Sequence, residues 1–359
     1  MSQKKATTVL VLPLLLILGL VGGVLWWFNR HSDNRGTLVN NQSQPSESSN
    51  TNFAKVQNVP SGQFNYGGST SWATIRRDID PVIQSFWPQF RLQYTQSNTG
   101  APGSVSGIDM LLKNQLAFSQ SAHSLNIEEF QQAKAMGVNL KQIPVAIDSI
   151  AIAVNHNLNI PGLTVAQLKD IYTGKLTNWN SVGGPNLKIK PYSRRPEESG
   201  TNEVFTENVI ELFTEDILGA KKLGTNVQFI PTTTEALREV EKNPGGIYYA
   251  SAPEVVSQCK VKSLPLGRNA SELIPPYKGS RVPLSQCPQK RNQLNTEVFR
   301  NGEYPITRRL FVIVKQNGQT EQQAGTAYAN LLLTNQGQEL LTKSGFVSIR
   351  DAGSSLPID

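Results

Sequence analysis

The chain has 359 residues, a formal net charge of +7 and 38% hydrophobic residues, which is enough to bury a sizeable core in one or two domains. Its lysines and arginines are scattered, and no run of four basic residues occurs. Nucleic acid is therefore not predicted as a partner, and the basic balance indicates a mild attraction for small anions.

The N-terminal segment contains a long apolar run. Residues 9–28 hold no charged side chain, and twenty helical residues span about 30 Å, the hydrocarbon thickness of a bilayer. The run ends in three aromatic residues, which suit a membrane interface better than a signal-peptide cleavage site. We therefore expect residues 1–30 to form an uncleaved membrane anchor. An Asn/Ser/Gln-rich flexible tether is predicted over residues 31–62.

From residue 63 onward, strand-like and helix-like segments alternate, which is typical of an α/β protein. The β-rich run at 143–155 is too long for one ordinary strand, and a second such run lies at 245–253. Both are expected to cross between two lobes. A cleft between lobes joined by two strands can open and close on a ligand. The predicted division is lobe 1 from residues 63–145 plus 252–359, and lobe 2 from residues 146–251.

Three Gly/Ser turns precede helix-like segments, at residues 66–72 (YGGSTSW), 101–109 (APGSVSGID) and 193–201 (SRRPEESGT). The first amides of a helix lack internal acceptors, and the helix dipole adds positive potential there. Glycine allows close backbone approach, and an arginine offers a planar fork to an oxyanion. Three such turns can converge on one small anion. The alternative is three ordinary capped helices with exposed arginines.

The chain has two cysteines, Cys259 and Cys287, on either side of a proline-rich stretch. A disulfide between them would close an irregular loop in an oxidising compartment, here the periplasm or the cell surface. The alternative is two unrelated buried thiols. Two cysteines cannot complete a tetrahedral zinc site, and neither a metal nor a cofactor is predicted.

Residues 163–201 (LTVAQLKDIYTGKLTNWNSVGGPNLKIKPYSRRPEESGT) resemble the phosphate-binding proteins of bacterial phosphate ABC transporters, with further matches at 143–152, 245–250 and 304–314. These are type II periplasmic binding proteins. The resemblance implies a two-lobed α/β fold with two hinge strands, preceded here by the N-terminal transmembrane helix. It also implies one dehydrated phosphate in the cleft, an ABC permease as partner, a monomer and no catalytic residue.

The resemblance also implies a set of phosphate ligands. They are Thr70, Ser71, Ser104, Arg195, Ser199, Gly200 and Thr201. Further candidates are Ser69, Ser106, Ser121, His123 and Arg194. The aspartate that accepts the phosphate proton in the family falls on Ala122 in this chain. The preference for monohydrogen phosphate over sulfate is correspondingly less certain, and a sulfate-like oxyanion stays an alternative.

Two other functions are alternatives to phosphate capture for transport. A serine hydrolase is disfavoured because residues 103–107 (GSVSG) place their serines one position off the G-x-S-x-G elbow. His31, His123 and His156 have no paired catalytic motif either. A tethered phosphate sensor or adhesion module that has kept the fold without transport remains open. The sequence as a whole predicts a membrane-tethered, extracytoplasmic protein that captures phosphate for an ABC importer.

Overall fold

The computed structural model describes residues 52–98, 102–194 and 223–349, which belong to one compact unit, Asn50–Asp359. The predicted alternation of strands and helices is confirmed. The strands are β1 Gly62–Gly68, β2 Phe90–Tyr94, β3 Phe118–Ser121, β4 Leu140–Asn155, β5 Leu163–Thr164, β6 Lys190–Arg194, β7 Gln228–Ile230, β8 Gly246–Ser251, β9 Val261–Leu264, β10 Leu266–Gly267 and β11 Thr307–Lys315. The α-helices are α1 Ala73–Asp78, α2 Asp80–Phe86, α3 Ser104–Leu112, α4 Ile127–Ala135, α5 Val165–Tyr172, α6 Thr233–Lys242, α7 Ala252–Val255, α8 Thr296–Arg300, α9 Thr320–Leu333 and α10 Asn335–Lys343.

Strand β4 connects the two halves of the sheet. Its residues 140–149 pair antiparallel with β11, whereas residues 150–155 lie between β8 and β9. Within the described ranges the strand order is β2-β1-β3-β11-β4-β8-β6-β7, with β9 also on β4. Strands β2, β1 and β3 run parallel, as βαβ connections require. The protein is therefore a two-lobed α/β structure whose lobes share β4.

Each lobe has its own aromatic core. Trp72, Phe118 and Tyr328 are fully buried around β1, β3 and α9. Trp179 and Tyr172 are fully buried around the second half of β4. The second core also contains residues from β9, from α8 and from the segment between α8 and β11. They are Val261, Leu264, Phe299, Tyr304 and Ile306. Residues between 261 and 306, which the sequence-based division has in lobe 1, thus contribute to the same core as the second half of β4.

The N-terminal end of the described region packs onto lobe 1. Phe53 is completely buried, its amide donates to Gln336 Oε1 at 3.0 Å, and its carbonyl accepts from Trp87 Nε1 at 3.3 Å. The folded part therefore starts before residue 62, the predicted end of the tether. The sequence does not predict the burial of Phe53, because one aromatic residue among mostly polar neighbours forms no periodic hydrophobic pattern. The predicted anchor lies outside the described residues, and within them no helix is long and apolar enough to cross a membrane.

The predicted disulfide is confirmed: Cys259 and Cys287 are joined, with their Cα atoms 5.7 Å apart. The bridge closes a chain excursion that begins after α7 and carries β9 and β10. The covalent link restricts the unfolded chain and thereby stabilises the fold. This matters in a segment that contains few regular elements.

Candidate functional site

Two glycines let the turn after β1 lie directly against helix α3. Gly68 has a φ of +119°, which disfavours any other residue. A Cβ atom on Gly107 would collide with the Gly68 backbone, and one on Gly68 would collide with the Gln120 carbonyl. Gly68 of the turn at 66–72 and Gly107 of the turn at 101–109 therefore allow the first turn and α3 to pack closely. Their effect is to bring the hydroxyl groups of the first turn beside the start of α3.

The first turn, residues 69–71, is fixed by Ser69. Its amide donates to the Gln120 carbonyl at 2.7 Å, and its Oγ accepts from the Ser71 amide at 3.3 Å. Arg76 Nη1 donates to the Ser69 carbonyl at 3.0 Å. Ser69 thus shapes the turn, while Thr70 and Ser71 present their hydroxyl groups to two arginines from other strands.

Arg194, the last residue of β6, reaches from lobe 2 to both turns of lobe 1. Its Nη1 donates to Thr70 Oγ1 at 3.2 Å, and its Nη2 donates to the Pro102 carbonyl at 3.3 Å. Its Nε is buried and has no acceptor in the described part of the chain. A buried cationic donor without a partner is unfavourable until an acceptor arrives. Arg194, a secondary candidate from the sequence, therefore links the end of β6 to the Thr70 turn and to the turn before α3.

Ser104 begins α3 beside the end of β3. Its Oγ accepts from the Ala122 amide at 3.0 Å, so its proton remains available to an acceptor in the cleft. Ala122 itself is buried, and no carboxylate occupies that position. Ser106 instead caps the helix, because its Oγ accepts from the Gly103 amide at 3.1 Å.

The other two candidates on this side, Ser121 and His123, form local contacts. Ser121 Oγ donates to the His123 carbonyl at 2.7 Å. His123 Nε2 lies 3.1 Å from Oε1 of Glu129, which is buried and also caps α4 through Asn126. These contacts give both residues a structural role at the end of β3, which is the commoner role for such residues.

A second arginine, Arg308 of β11, was not identified from the sequence. Its Nη2 donates to Ser71 Oγ at 2.5 Å, and its Nε and Nη2 donate to Asp148 Oδ2 at 3.2 and 3.1 Å. Asp148 is completely buried in β4 and also accepts from Ser251 Oγ at 2.5 Å. Burial raises the pKa of Asp148, although Arg308 and Ser251 favour its charged form. The sequence contains one sign of this ion pair: Asp148 is the single charged residue in the otherwise apolar run at 143–155.

Four of the sequence-predicted ligands, Arg195, Ser199, Gly200 and Thr201, lie outside the described residues. The described part brings together Thr70, Ser71, Ser104 and Arg194. Hydroxyl oxygens that already accept a hydrogen bond can donate their own protons, and Arg194 adds a fixed positive charge. Within the described ranges no cluster of histidine, cysteine or acidic residues could hold a metal ion. The arrangement places hydroxyl groups and a guanidinium where the two lobes of an α/β protein meet, and these are the groups that an oxyanion-binding site requires.

Comparisons with known proteins agree with this class. Residues 55–336 match the PBP superfamily domain, and the chain belongs to this superfamily. It is 25% identical over 287 residues to the phosphate-binding protein PstS of Staphylococcus haemolyticus, covering 77% of this chain and 78% of the relative. A PstS of Staphylococcus epidermidis is 25% identical over 267 residues, covering 72% of this chain and 73% of the relative. The resemblance noted in the sequence motifs is confirmed.

Solved structures show the same fold. A structure from Clostridium perfringens, described as a phosphate ABC transporter substrate-binding protein with bound phosphate, has a TM-score of 0.60 and 24% identity. It covers 80% of this chain, and the chain covers all of it. An ABC-type phosphate transport receptor from Vibrio cholerae has a TM-score of 0.54 and 18% identity, with 80% of this chain and all of the receptor covered.

Proposed function

We propose that the protein captures inorganic phosphate between its lobes and delivers it to an ABC importer, without catalysing a reaction. The observation that carries the proposal is Arg194, whose guanidinium joins both lobe 1 turns while its buried Nε lacks an acceptor in the described part of the chain. The relatives named PstS are phosphate-binding proteins. Their likeness covers more than 70% of this chain, which supports the same ligand class.

The proposed ligand set combines described and undescribed residues. From lobe 1 come the hydroxyl groups of Thr70 and Ser104 and the amide of Ser71. Lobe 2 supplies Arg194, with Arg195, Ser199, Gly200 and Thr201 as further ligands proposed from their motif. Phosphate would bridge the two sets, and bridging favours the closed form because only that form offers both sets at once. A permease that recognises the closed form would then accept loaded protein.

The proposed location is outside the cytoplasm, with residues 1–30 as a membrane anchor and the folded part as a monomer. The disulfide supports an oxidising compartment. Lobe 1 would contain residues 63–145 and 307–349, and lobe 2 residues 146–306, because residues 261–306 contribute to the lobe 2 core. Cell fractionation with an antibody against the folded part would test the anchor, and recovery in the soluble fraction would exclude it.

Isothermal titration of the full-length protein tests the function directly. Phosphate, sulfate, arsenate and molybdate should be compared at equal ionic strength, and phosphate should bind with the lowest Kd. Sulfate is the second candidate, because Ala122 leaves no carboxylate at that position. Arg195→Ala should weaken phosphate binding by several kcal/mol, since a buried anion would lose a fixed counter-charge. Absence of phosphate binding by the wild-type protein would refute the proposal.

A further inference from the structure

Arg76 is a half-buried residue of α1 that contacts the first turn, residues 69–71. Its Nη1 donates to the Ser69 carbonyl at 3.0 Å and to Oε1 of Gln120 at 2.7 Å. Its Cζ atom lies 4.1 Å from the centre of the Tyr94 ring, which is within the range of a cation–π interaction. In the part of the chain that the structure describes, Arg76 forms no ion pair, so no carboxylate contact neutralises its charge.

Gln120 fixes the position of this guanidinium. It is completely buried in β3, and its Nε2 donates to the Tyr328 hydroxyl at 3.0 Å, so its Oε1 is left to face Arg76. Tyr328 in turn donates to Asp80 at 2.7 Å. Arg76 acts on Asp80 electrostatically but donates no hydrogen bond to it. The main chain of Gln120 also accepts from the Ser69 amide at 2.7 Å, so the first turn and Arg76 are held by the same buried residue.

The contact with the Ser69 carbonyl sets the direction of the next amide. In a planar trans peptide, the C=O and the N–H point to opposite sides. With the Ser69 carbonyl held by Arg76, the Thr70 N–H points away from Arg76. Thr70 is also the residue whose hydroxyl group accepts from Arg194 of lobe 2 at 3.2 Å. Without Arg76, this peptide plane could rotate and Thr70 would shift relative to Arg194.

Resting on the proposed function, we propose that Arg76 is a positioning residue for phosphate, which holds the Ser69–Thr70 peptide in its binding orientation and adds a positive charge beside the first turn. A turn that is already ordered before the ligand arrives loses less entropy on binding. A partly desolvated charge also attracts an anion that it does not touch. Arg194 then contacts the ligand from lobe 2, while Arg76 acts through the lobe 1 turn.

The test is isothermal titration of full-length Arg76→Met with phosphate. This variant removes the donor and the charge but keeps a flexible side chain, and we expect the Kd to rise about tenfold. Arg76→Lys keeps the charge and an N–H donor, so its Kd should lie between those of wild type and Arg76→Met. Arg77→Met is the matched control on the same helix, because Arg77 is largely exposed and pairs with Asp78 at 2.6 Å. Its phosphate Kd should equal that of wild type.

Double variants distinguish positioning from a contribution to stability alone. Because Arg76 acts through the turn that carries Thr70, Arg76→Met and Thr70→Val together should raise the Kd by less than the product of their separate effects. Arg76→Met combined with Ser104→Ala should give the full product, since Ser104 lies on the other turn. A residue that only stabilised the fold would lower the free energy of unfolding and leave the Kd of the folded protein unchanged.

The outcomes separate this inference from the proposed function. Folded Arg76→Met that binds phosphate as tightly as wild type overturns the role of Arg76 and leaves phosphate capture intact. Wild-type protein that binds no phosphate overturns both. If Arg76→Met does not fold, Arg76→Gln replaces it, because it keeps a polar side chain at this half-buried position without the charge. An unchanged phosphate Kd in Arg76→Gln then contradicts the proposal.

Discussion

Two arginines, Arg194 of β6 and Arg308 of β11, donate to neighbouring hydroxyl groups of the same turn, and they differ in how their charge is balanced. Arg308 donates to Ser71 but also holds the buried carboxylate of Asp148. Arg194 donates to Thr70 and to a main-chain carbonyl, and its Nε is buried without an acceptor in the described region. The charge of Arg308 is thus compensated by Asp148. Arg194 has no ion pair among the described residues, and its charge is the one that we propose for anion binding.

Because their charges are balanced differently, the two arginines are expected to affect different properties of the protein: Arg308 its stability and Arg194 its affinity for a ligand. A buried ion pair loses most when one partner is removed, because the other charge remains buried and unpaired. A partly buried cation without an ion-pair partner does not stabilise the fold until a ligand arrives. We therefore expect Arg308 to stabilise the junction between β4, β8 and β11, and we propose that Arg194 acts in the cleft.

The largest expected effect is a loss of stability in Arg308→Met. Asp148 is completely buried and would lose its counter-charge, so the free energy of unfolding should fall by about 3–5 kcal/mol at pH 8. The loss should be smaller at pH 5, because Asp148 already has a raised pKa and can then become protonated. Urea denaturation at the two pH values measures both effects.

The control for this prediction is the double variant Asp148→Asn/Arg308→Met. It removes both charges and should recover part of the lost stability. A single variant as stable as the wild type would show that Arg308 does not compensate Asp148 in solution.

Asp80 is a second buried carboxyl group, and it differs from Asp148 because tyrosine hydroxyl groups, instead of an arginine, donate to it. Asp80 accepts from Tyr66 and, at 2.7 Å, from Tyr328, and burial raises its pKa to about 6. The folded state therefore binds this proton more tightly than the unfolded state, in which the pKa of aspartate is about 3.9. The contribution of Asp80 to stability is present at pH 4 and declines as the pH rises through 6, by at most about 3 kcal/mol.

Asp80→Asn tests this contribution, because an amide does not titrate in this range. The stability of wild type minus that of Asp80→Asn should decline between pH 4 and pH 7 in urea denaturation. A difference that stays constant or rises with pH would mean that the pKa of Asp80 is not raised in the folded protein.

Arg194→Met should have the opposite signature from Arg308→Met. We expect the phosphate affinity to fall by about 1.5–3 kcal/mol for each charge-assisted hydrogen bond lost to the ligand. The free energy of unfolding without ligand should change by less than about 1 kcal/mol, because the described partners of Arg194 are a hydroxyl group and a carbonyl. Titration calorimetry and urea denaturation of the same preparation provide both numbers. Unchanged phosphate affinity would place Arg194 outside the cleft.

Much of the fold could be predicted from the sequence, because it depends on local patterns. The long run containing β4 indicated a strand shared by two lobes, and glycine-rich turns indicated close approaches near helix starts. The contact from Arg308 to Asp148 could not be predicted in the same way, since it joins residues 160 positions apart. Phe53 was missed for a similar reason, because its burial depends on α2 and α10, far along the chain. Sequence reasoning named the hydroxyl groups of the proposed site and Arg194, but it did not name Arg308 or Asp148.

The smallest expected effects come from the two hydroxyl groups that the arginines contact. Thr70→Val removes the acceptor for Arg194 and a proposed phosphate donor, so phosphate affinity should fall by about 1 kcal/mol with little change in stability. Ser71→Ala removes a contact of Arg308 but keeps the Ser71 main-chain amide. Unfolding free energy should then fall by about 1 kcal/mol with phosphate affinity nearly unchanged, because Asp148 still holds Arg308. The reverse pattern, with Ser71→Ala impairing binding and Thr70→Val impairing stability, would mean that the roles of the two arginines are exchanged.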